Sequence, residues 1–286
     1  MAQKTVLITG GNSGIGFETA RQLTARGAAV ILACRDETKG QAALASIKND
    51  MPSAEVSLVS LDLGSLDHVR QCAEVVRDRF PRIDVLINNA GVVPTSQRFT
   101  QDGFEMQFGV NYLAHVLFTQ LLLPSLEAAA PARVVNLSSV AHWLGHINPK
   151  TWRGRFPYLV MDAYGQSKLA NLMFSNELGR RINPHKVTSN ALHPGGVDTG
   201  IFRHVPKPLF NTLIKPTLIS PKKAAELPVA LALDEQYAGV TARYFDHAGP
   251  ARSRPVARRP VATARLYERS CELLHIDPLP APEDTG

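Results

Sequence analysis

The chain has 286 residues, 44% of them hydrophobic and 20% charged, with a formal net charge of +6. That length and composition can bury a large core, in one αβ domain as easily as in two small ones. The basic excess is scattered apart from Arg252, Arg254, Arg258 and Arg259, and with no recognition helix or zinc-finger spacing beside it the function class it argues against is nucleic-acid binding.

Cys34, Cys72 and Cys271 are odd in number and widely spaced. They suggest neither a disulfide framework nor a metal site, and the simpler expectation is a reducing, cytoplasmic compartment. No apolar stretch approaches bilayer-spanning length, and the first strand starts too close to Met1 for a signal peptide, so no membrane span is expected.

In chain order, Thr5 to Ile8 reads as a short apolar strand, followed by a glycine turn and a helix from Gly16 to Arg26, with Gly27 placed to end it. Ala29 to Ala33 is a second strand, apolar throughout as a strand covered on both faces must be. Glu37 to Ile47 supplies a helix, Val56 to Val59 a strand, and Leu66 to Phe80 a helix with apolar positions at Val69, Cys72, Val76 and Phe80. Strand Val85 to Ile87, helix Phe104 to Leu123, strand Arg133 to Leu137, helix Tyr164 to Leu178 and strand Val187 to Ala191 continue the alternation. Such regularity predicts an α/β fold: a doubly wound, mostly parallel Rossmann-type sheet with helices on both faces and ligands beyond the carboxyl ends of the strands. Composition changes first near residue 245, so 1–286 reads as a single domain. It carries a substrate-side insert at about 140–163, a lid at about 200–218 and an Arg/Pro-rich connection at about 249–263.

Thr9 to Gly16 follows the first strand and opens the first helix. Gly10 keeps the turn tight, Gly14 removes a side chain where pyrophosphate approaches backbone N–H groups, and Gly16 lets the helix sit near the sheet. Asn12, Ser13 and Ile15 complete this candidate cofactor-binding stretch, whose phosphates would meet the positive end of the helix. No Gly-Lys-Ser/Thr follows, so an ATPase would lack the lysine it needs, and a dinucleotide remains. The second strand ends in Cys34-Arg35-Asp36. Arg35 can offer a planar fork to a 2′-phosphate, which predicts a preference for NADP(H); Asp36 either pairs with Arg35 or turns outward. Asp62 is placed to accept from the adenine amine while Leu63 covers the ring edge, and Asp62 and Ser65 compete to cap the next helix. Asn88 and Asn89 can satisfy backbone groups between strands, and Ala90 and Gly91 leave room for ribose.

Tyr164 and Lys168 stand one helical turn apart on one face. A free phenol titrates near 10, and a neighbouring cation would make it a better acid. Tyr164 is therefore the candidate acid/base, and Lys168 can also bind the nicotinamide ribose. Ser138 and Ser139 compete to steady the charge on the substrate oxygen. Asn111 interrupts an apolar helix, either as a tolerated polar residue or to release a carbonyl to a water chain. Ser138-Ser139 lacks a Gly-x-Ser-x-Gly turn, and His142, His146 and His193 form no metal-binding motif, which disfavours hydrolase and metalloenzyme readings.

With these residues together, the sequence resembles the short-chain dehydrogenase/reductases over essentially Ala2 to about Leu274. The resemblance rests on Thr9 to Gly16, Asn88 to Gly91, Asn111, Ser138-Ser139, Tyr164 to Lys168 and Pro194-Gly195. It implies a catalytic tetrad of Asn111, Ser139, Tyr164 and Lys168, with the serine the second of its pair. It also implies cofactor contacts at Pro194, Gly195, Val197 and Thr199, with Pro194 and Gly195 flanking nicotinamide. Leu32 to Asp36, Val134 to His142, Ser167 to Asn171 and Leu192 to Gly195 resemble the retinol dehydrogenase branch, as does the 25-residue gap from Ser139 to Tyr164. In that branch the residue matching Arg35 goes with NADP. The membrane-anchoring segment of many animal relatives is not expected here, and the stretch from Ala251 to Thr263 departs from the family pattern as a flap or a solvated connection.

The implied function is reversible interconversion of a hydrophobic alcohol and its aldehyde or ketone. His142, Trp143, Leu144, Trp152, Phe156, Pro157, Tyr158 and Met161 of the insert form either a substrate wall or a packing surface on the body or a neighbouring subunit. The alternatives are reduction of a C=C bond, or a catalytically weak nucleotide-binding protein that supports an interaction. The resemblance allows a homodimer or homotetramer.

Overall fold

Val6, Leu7 and Ile8 are wholly shielded from water, and they alternate between two cores. Leu7 joins a cluster with Leu86, Val134, Phe118 and Phe174, while Val6 and Ile8 join one with Leu23, Ile47 and Leu231. The period of two along a strand thus feeds helices on both faces, and each such side chain removed from water contributes roughly 1.5–3 kcal/mol.

The computed structural model describes residues 3–196 and 218–281. Within them, eight strands form one sheet: β1 (Thr5–Thr9), β2 (Ala29–Cys34), β3 (Val56–Ser60), β4 (Val85–Asn88), β5 (Ala132–Leu137), β6 (Val187–Leu192), β7 (Tyr244–Asp246) and β8 (Gly249–Pro250). Their spatial order is β3-β2-β1-β4-β5-β6-β7-β8, parallel throughout except for β8. The strand order reverses between β1 and β4, where a doubly wound Rossmann-type sheet opens a crevice at its carboxyl edge. The helices are α1 (Gly14–Ala25), α2 (Glu37–Asp50), α3 (Leu66–Arg79), α4 (Met106–Phe108), α5 (Ala114–Ala128), α6 (Val160–Arg181), α7 (Pro221–Ala224), α8 (Glu226–Leu233) and α9 (Pro260–Leu274). α3, α5, α6 and α9 cover one face; α1, α2 and α8 cover the other.

Three elements differ from the sequence expectation. The helix expected over Phe104 to Leu123 is α4, a π-helical turn at Gly109–Leu113 and α5, because Ala114 N–H bonds back five residues to the Gly109 carbonyl. α6 starts four residues before Tyr164. The Arg/Pro-rich stretch is a connection partly packed on the body, with Arg252, Pro255, Arg258 and Arg259 exposed. Ser253 and Ala257 are buried, Ala251 N–H donates to the Tyr244 carbonyl at 2.8 Å, and Asn176 Nδ2 donates to the Ala257 carbonyl at 2.7 Å. The expected lid, apart from Leu218, lies outside the described residues, as do Val197 and Thr199.

Candidate active site

β1 delivers the glycine turn to the reversal point. Gly10 (φ +68°) and Gly14 (φ +55°) take the left-handed region that L side chains avoid. The space a Cβ would occupy on Gly14 is open, whereas one on Gly16 would lie 2.3 Å from the Gly10 carbonyl and 2.5 Å from Asn89 Nδ2. Gly16 therefore lets the two turns close on each other. Ser13 caps α1 without a side-chain hydrogen bond, so the first N–H groups of that helix keep their capacity for an anion.

Asp36 is engaged by Lys39. It caps α2 through Lys39 N–H at 3.0 Å and pairs with Lys39 Nζ at 3.0 Å, which pulls its carboxyl below the usual range. Arg35 remains exposed at the end of β2. At the end of β3, Asp62 Oδ1 accepts Gly64 N–H at 2.9 Å, and Ser65, not Asp62, caps α3. Leu63 is buried in the core cluster that also holds Val69 and Ile83. Asn89 bonds the first turn through the Thr9 carbonyl at 2.7 Å, but Asn88 serves side chains, donating to Thr119 Oγ1 and Asn136 Oδ1. Pro194 and Gly195 follow β6 at the same edge, with the Pro194 carbonyl held by His247 Nε2 at 2.6 Å.

The four reacting candidates converge. Ser139 follows β5, and its side chain lies near enough to that of Tyr164 to draw the phenol toward its ionised form. Lys168 Nζ lies 5.8 Å from the centre of the Tyr164 ring and donates to the Leu137 carbonyl at 3.0 Å. Asn111, within the π-turn, clasps Val92 with both ends of its amide at 2.7 and 3.1 Å and donates to Ser167 Oγ at 3.1 Å. A Cβ on Gly91 would stand 3.4 Å from Asn111 Oδ1 and 3.7 Å from Lys168 Nζ, so the β4 turn passes directly over both. Ser138 is excluded as the substrate-facing serine, because it is buried and its hydroxyl is spent on the Lys168 carbonyl at 2.7 Å.

Comparison with known proteins agrees with this geometry: the family description "short chain dehydrogenase" matches residues 4–209. The chain belongs to the short chain dehydrogenases. Homo sapiens retinol dehydrogenase 13 is 42% identical over 287 residues, covering 96% of this chain and 85% of that protein, which sets the chain with the retinol dehydrogenase group. Among solved structures, an uncharacterized protein from Mycobacterium Paratuberculosis superposes with a TM-score of 0.80 at 36% identity, over 98% of this chain and 96% of the other. The Pseudomonas aeruginosa RhlG/NADP active-site complex gives 0.71 at 25% identity, over 86% and 95%.

Within this short chain dehydrogenase, burial sets the electrostatics. It pushes the Tyr164 hydroxyl up, with the Ser139 side chain pulling it back, and lowers Lys168 from 10.5 to about 8. The sequence reading had the ammonium lowering the phenol. In the structure the ammonium is turned toward Leu137, and desolvation prevails on both groups.

Two buried residues escaped the sequence reading. Thr9 Oγ1 accepts from Asn89 and Ala90 N–H at 3.0 and 2.9 Å and meets His115 Nε2 at 3.0 Å; His115 Nδ1 meets the Asn111 carbonyl at 3.1 Å. A carbonyl only accepts, so Nδ1 carries the proton and Nε2 takes that of Thr9. Burial lowers His115 to about 4, which keeps it in that neutral form. One lone pair of the Asn111 carbonyl is thereby occupied by the ring. A threonine before a glycine turn and a histidine four residues after Asn111 were the available signals.

The insert divides. Trp152 is buried, stacked on Phe108 with ring centres 4.7 Å apart, and Tyr158 donates to the buried Glu105 at 2.9 Å. Phe156, Leu159 and Leu144 are exposed, at 100%, 60% and 59%. Leu144, Leu159, Val160 and Met161 line a hollow of about 490 Å³ one turn before Tyr164.

Proposed function

We propose that this short chain dehydrogenase is an NADP(H)-dependent oxidoreductase that interconverts a hydrophobic alcohol and its aldehyde or ketone. The convergence of Ser139, Tyr164, Lys168 and Asn111 at the edge where the strand order reverses carries the reading. The cofactor end fits the dinucleotide: an uncapped helix N-terminus, open space at Gly14, and Arg35 exposed for a 2′-phosphate while Lys39 engages Asp36. The RhlG structure was solved with NADP, which supports the same choice.

The bound nicotinamide supplies or accepts a hydride at C4. In reduction, Tyr164 gives its proton to the substrate oxygen and Ser139 donates a hydrogen bond to that oxygen as charge develops there; oxidation reverses both. Ser139 steadies the phenolate left behind, and Lys168 holds the ribose. The exposed apolar side chains before Tyr164 favour a hydrophobic substrate, and the similarity to retinol dehydrogenases supports including retinoids among those tried. We place the protein in the cytoplasm, where its three free, buried cysteines stay reduced.

A panel of aliphatic, retinoid, steroid and aromatic carbonyls, followed at nicotinamide absorbance with NADPH and then NADH, tests this. Turnover with at least one carbonyl, faster with NADPH, is expected. Tyr164→Phe should lower turnover by roughly a hundredfold or more while leaving NADPH affinity largely intact. Near-normal turnover in that variant rejects the assignment, and product masses with the identity of the reduced bond separate C=O from C=C reduction.

A further inference from the structure

We propose that Arg254, in the strap between the last strand and α9, is a positioning residue for the reacting end: it fastens the segment from Ser139 to His146 against α6. The inference rests on the reading of Ser139 and Tyr164 as the reacting pair.

One residue meets that segment at four points. The guanidinium donates to the carbonyls of Trp143, at 2.9 Å, and Gly145, and to His146 Nε2 at 3.0 Å. The backbone N–H of Arg254 donates to His142 Nε2 at 3.3 Å. His142 is fully buried, and its Nδ1 meets the Ser139 carbonyl at 2.7 Å. Since that carbonyl only accepts, Nδ1 must carry the proton, and Nε2 is left as the acceptor that Arg254 N–H requires. The polar chain Arg254 to His142 to Ser139 therefore has one direction, and it ends on the residue that would bond the substrate oxygen.

The fastened loop has no slack on its other side. A Cβ on Gly145 would lie 2.2 Å from the Gly165 carbonyl, and one on Gly165 would lie 2.8 Å from the Ala141 carbonyl. The backbone of the loop thus rests on that of α6 at the residue after Tyr164. Arg254 is itself held from both ends, by Ala251 on β7 and by Ala257 under Asn176 of α6. A planar fork can satisfy three acceptors spread across a loop; a lysine ammonium offers a point charge and cannot span them. Arg252, Arg258 and Arg259 are exposed, so this arginine is set apart from the rest of the basic run.

The test compares Arg254→Ala and Arg254→Lys with the unaltered protein. NADPH affinity should stay unchanged in both, and turnover should fall roughly ten- to a hundredfold in Arg254→Ala, as expected for a displaced reacting group. Free guanidinium at non-denaturing concentration should restore part of the loss in Arg254→Ala. Arg254→Lys should remain impaired. Hydrogen exchange supplies a readout independent of turnover: the amides of Leu144 and Gly145, bonded to the carbonyls of Ala141 and His142, should lose protection in Arg254→Ala. Unchanged protection there overturns the proposal, as does a lowered melting temperature with turnover per folded molecule unaltered, which would make Arg254 a purely structural brace. Loss of protection in a protein whose parent reduces no carbonyl would leave the clamp standing and sink the functional reading instead.

Discussion

Lys168 is buried with Tyr164 half-buried beside it, and desolvation acts on them in opposite senses, raising the phenol and lowering the ammonium to about 8. Desolvation disfavours whichever form is charged, so the neutral phenol persists across the neutral range while the lysine stays cationic only below about 8. The sign follows directly. A lysine depressed in the folded protein is fully charged below that value and loses its charge as pH rises through it. A ribose and phosphate ligand that favours the ammonium should therefore bind with constant affinity below about 8, and its dissociation constant should then climb by up to roughly tenfold per pH unit. Fluorescence titration of NADPH between about pH 7 and about pH 10 measures this. Lys168→Met should bind more weakly and show no such break, and a parent profile flat throughout would remove Lys168 from the cofactor site.

α6 carries Tyr164, Gly165 and Lys168 in its first half and is anchored in its second. Glu177 accepts from Arg180 and Arg181 at 2.6 Å each and from Thr263 Oγ1 of α9 at 2.8 Å, while Arg181 also reaches Glu268 at 2.8 Å. Burial pushes the Glu177 carboxyl up, but the two arginines and Thr263 together bring it below its ordinary value. Its contribution to stability is thus present at neutral pH and lost as pH falls through the lowered value. Glu177→Ala would leave Arg181, 3% exposed, with only the exposed Glu268 as a counter-charge, a loss of up to about 3–5 kcal/mol. Thermal unfolding at neutral pH should show a drop of roughly 6–20 °C, and a drop of a degree or two would mean that α9 holds α6 by apolar packing alone. The same helix shows what a sequence can conceal. Strands such as Val6 to Ile8 are legible because both faces are apolar, but α6 buries Gln166, Ser167, Asn171, Ser175 and Glu177 against other polar atoms, so hydropathy gives neither its start nor its surroundings. The placing of the glycine turn, Arg35 and Ser139 at the sheet's edge was legible because each lies within two residues of a strand end. His115 and Arg254 were not, since their partners lie 106 and 112 residues away, at Thr9 and His142, in contacts that no local pattern encodes.

Across the molecule, the question of assembly turns on which surfaces remain open. Every residue of α6 from Gly165 to Gly179 is buried within one chain, and α9 lies against α6 and α5 with Leu266, Tyr267, Cys271 and Leu274 in their core. The Tyr112 hydroxyl, on the π-turn before α5, is bonded to Ser270 of α9 at 2.8 Å, and Tyr267 to Gln120 of α5 at 2.9 Å. A second copy could pair through α6 only by displacing α9 and exposing that core, which hydrophobic burial opposes strongly. Among the described residues most of the open large apolar side chains are those of the insert, with Phe156 wholly exposed and Trp143, Leu144, Leu159 and Met161 each more than a third exposed; Val75, Phe99 and Val261 lie open singly elsewhere. A substrate wall and a subunit contact would make competing use of the same residues. Light scattering on the eluted protein should give the mass of one chain, 31.1 kDa, in the presence and absence of NADPH. A dimer mass that returns to one chain in Phe156→Ser would assign the insert to an interface between copies and withdraw it from the substrate side; a single-chain mass in both leaves it free to meet a hydrophobic substrate.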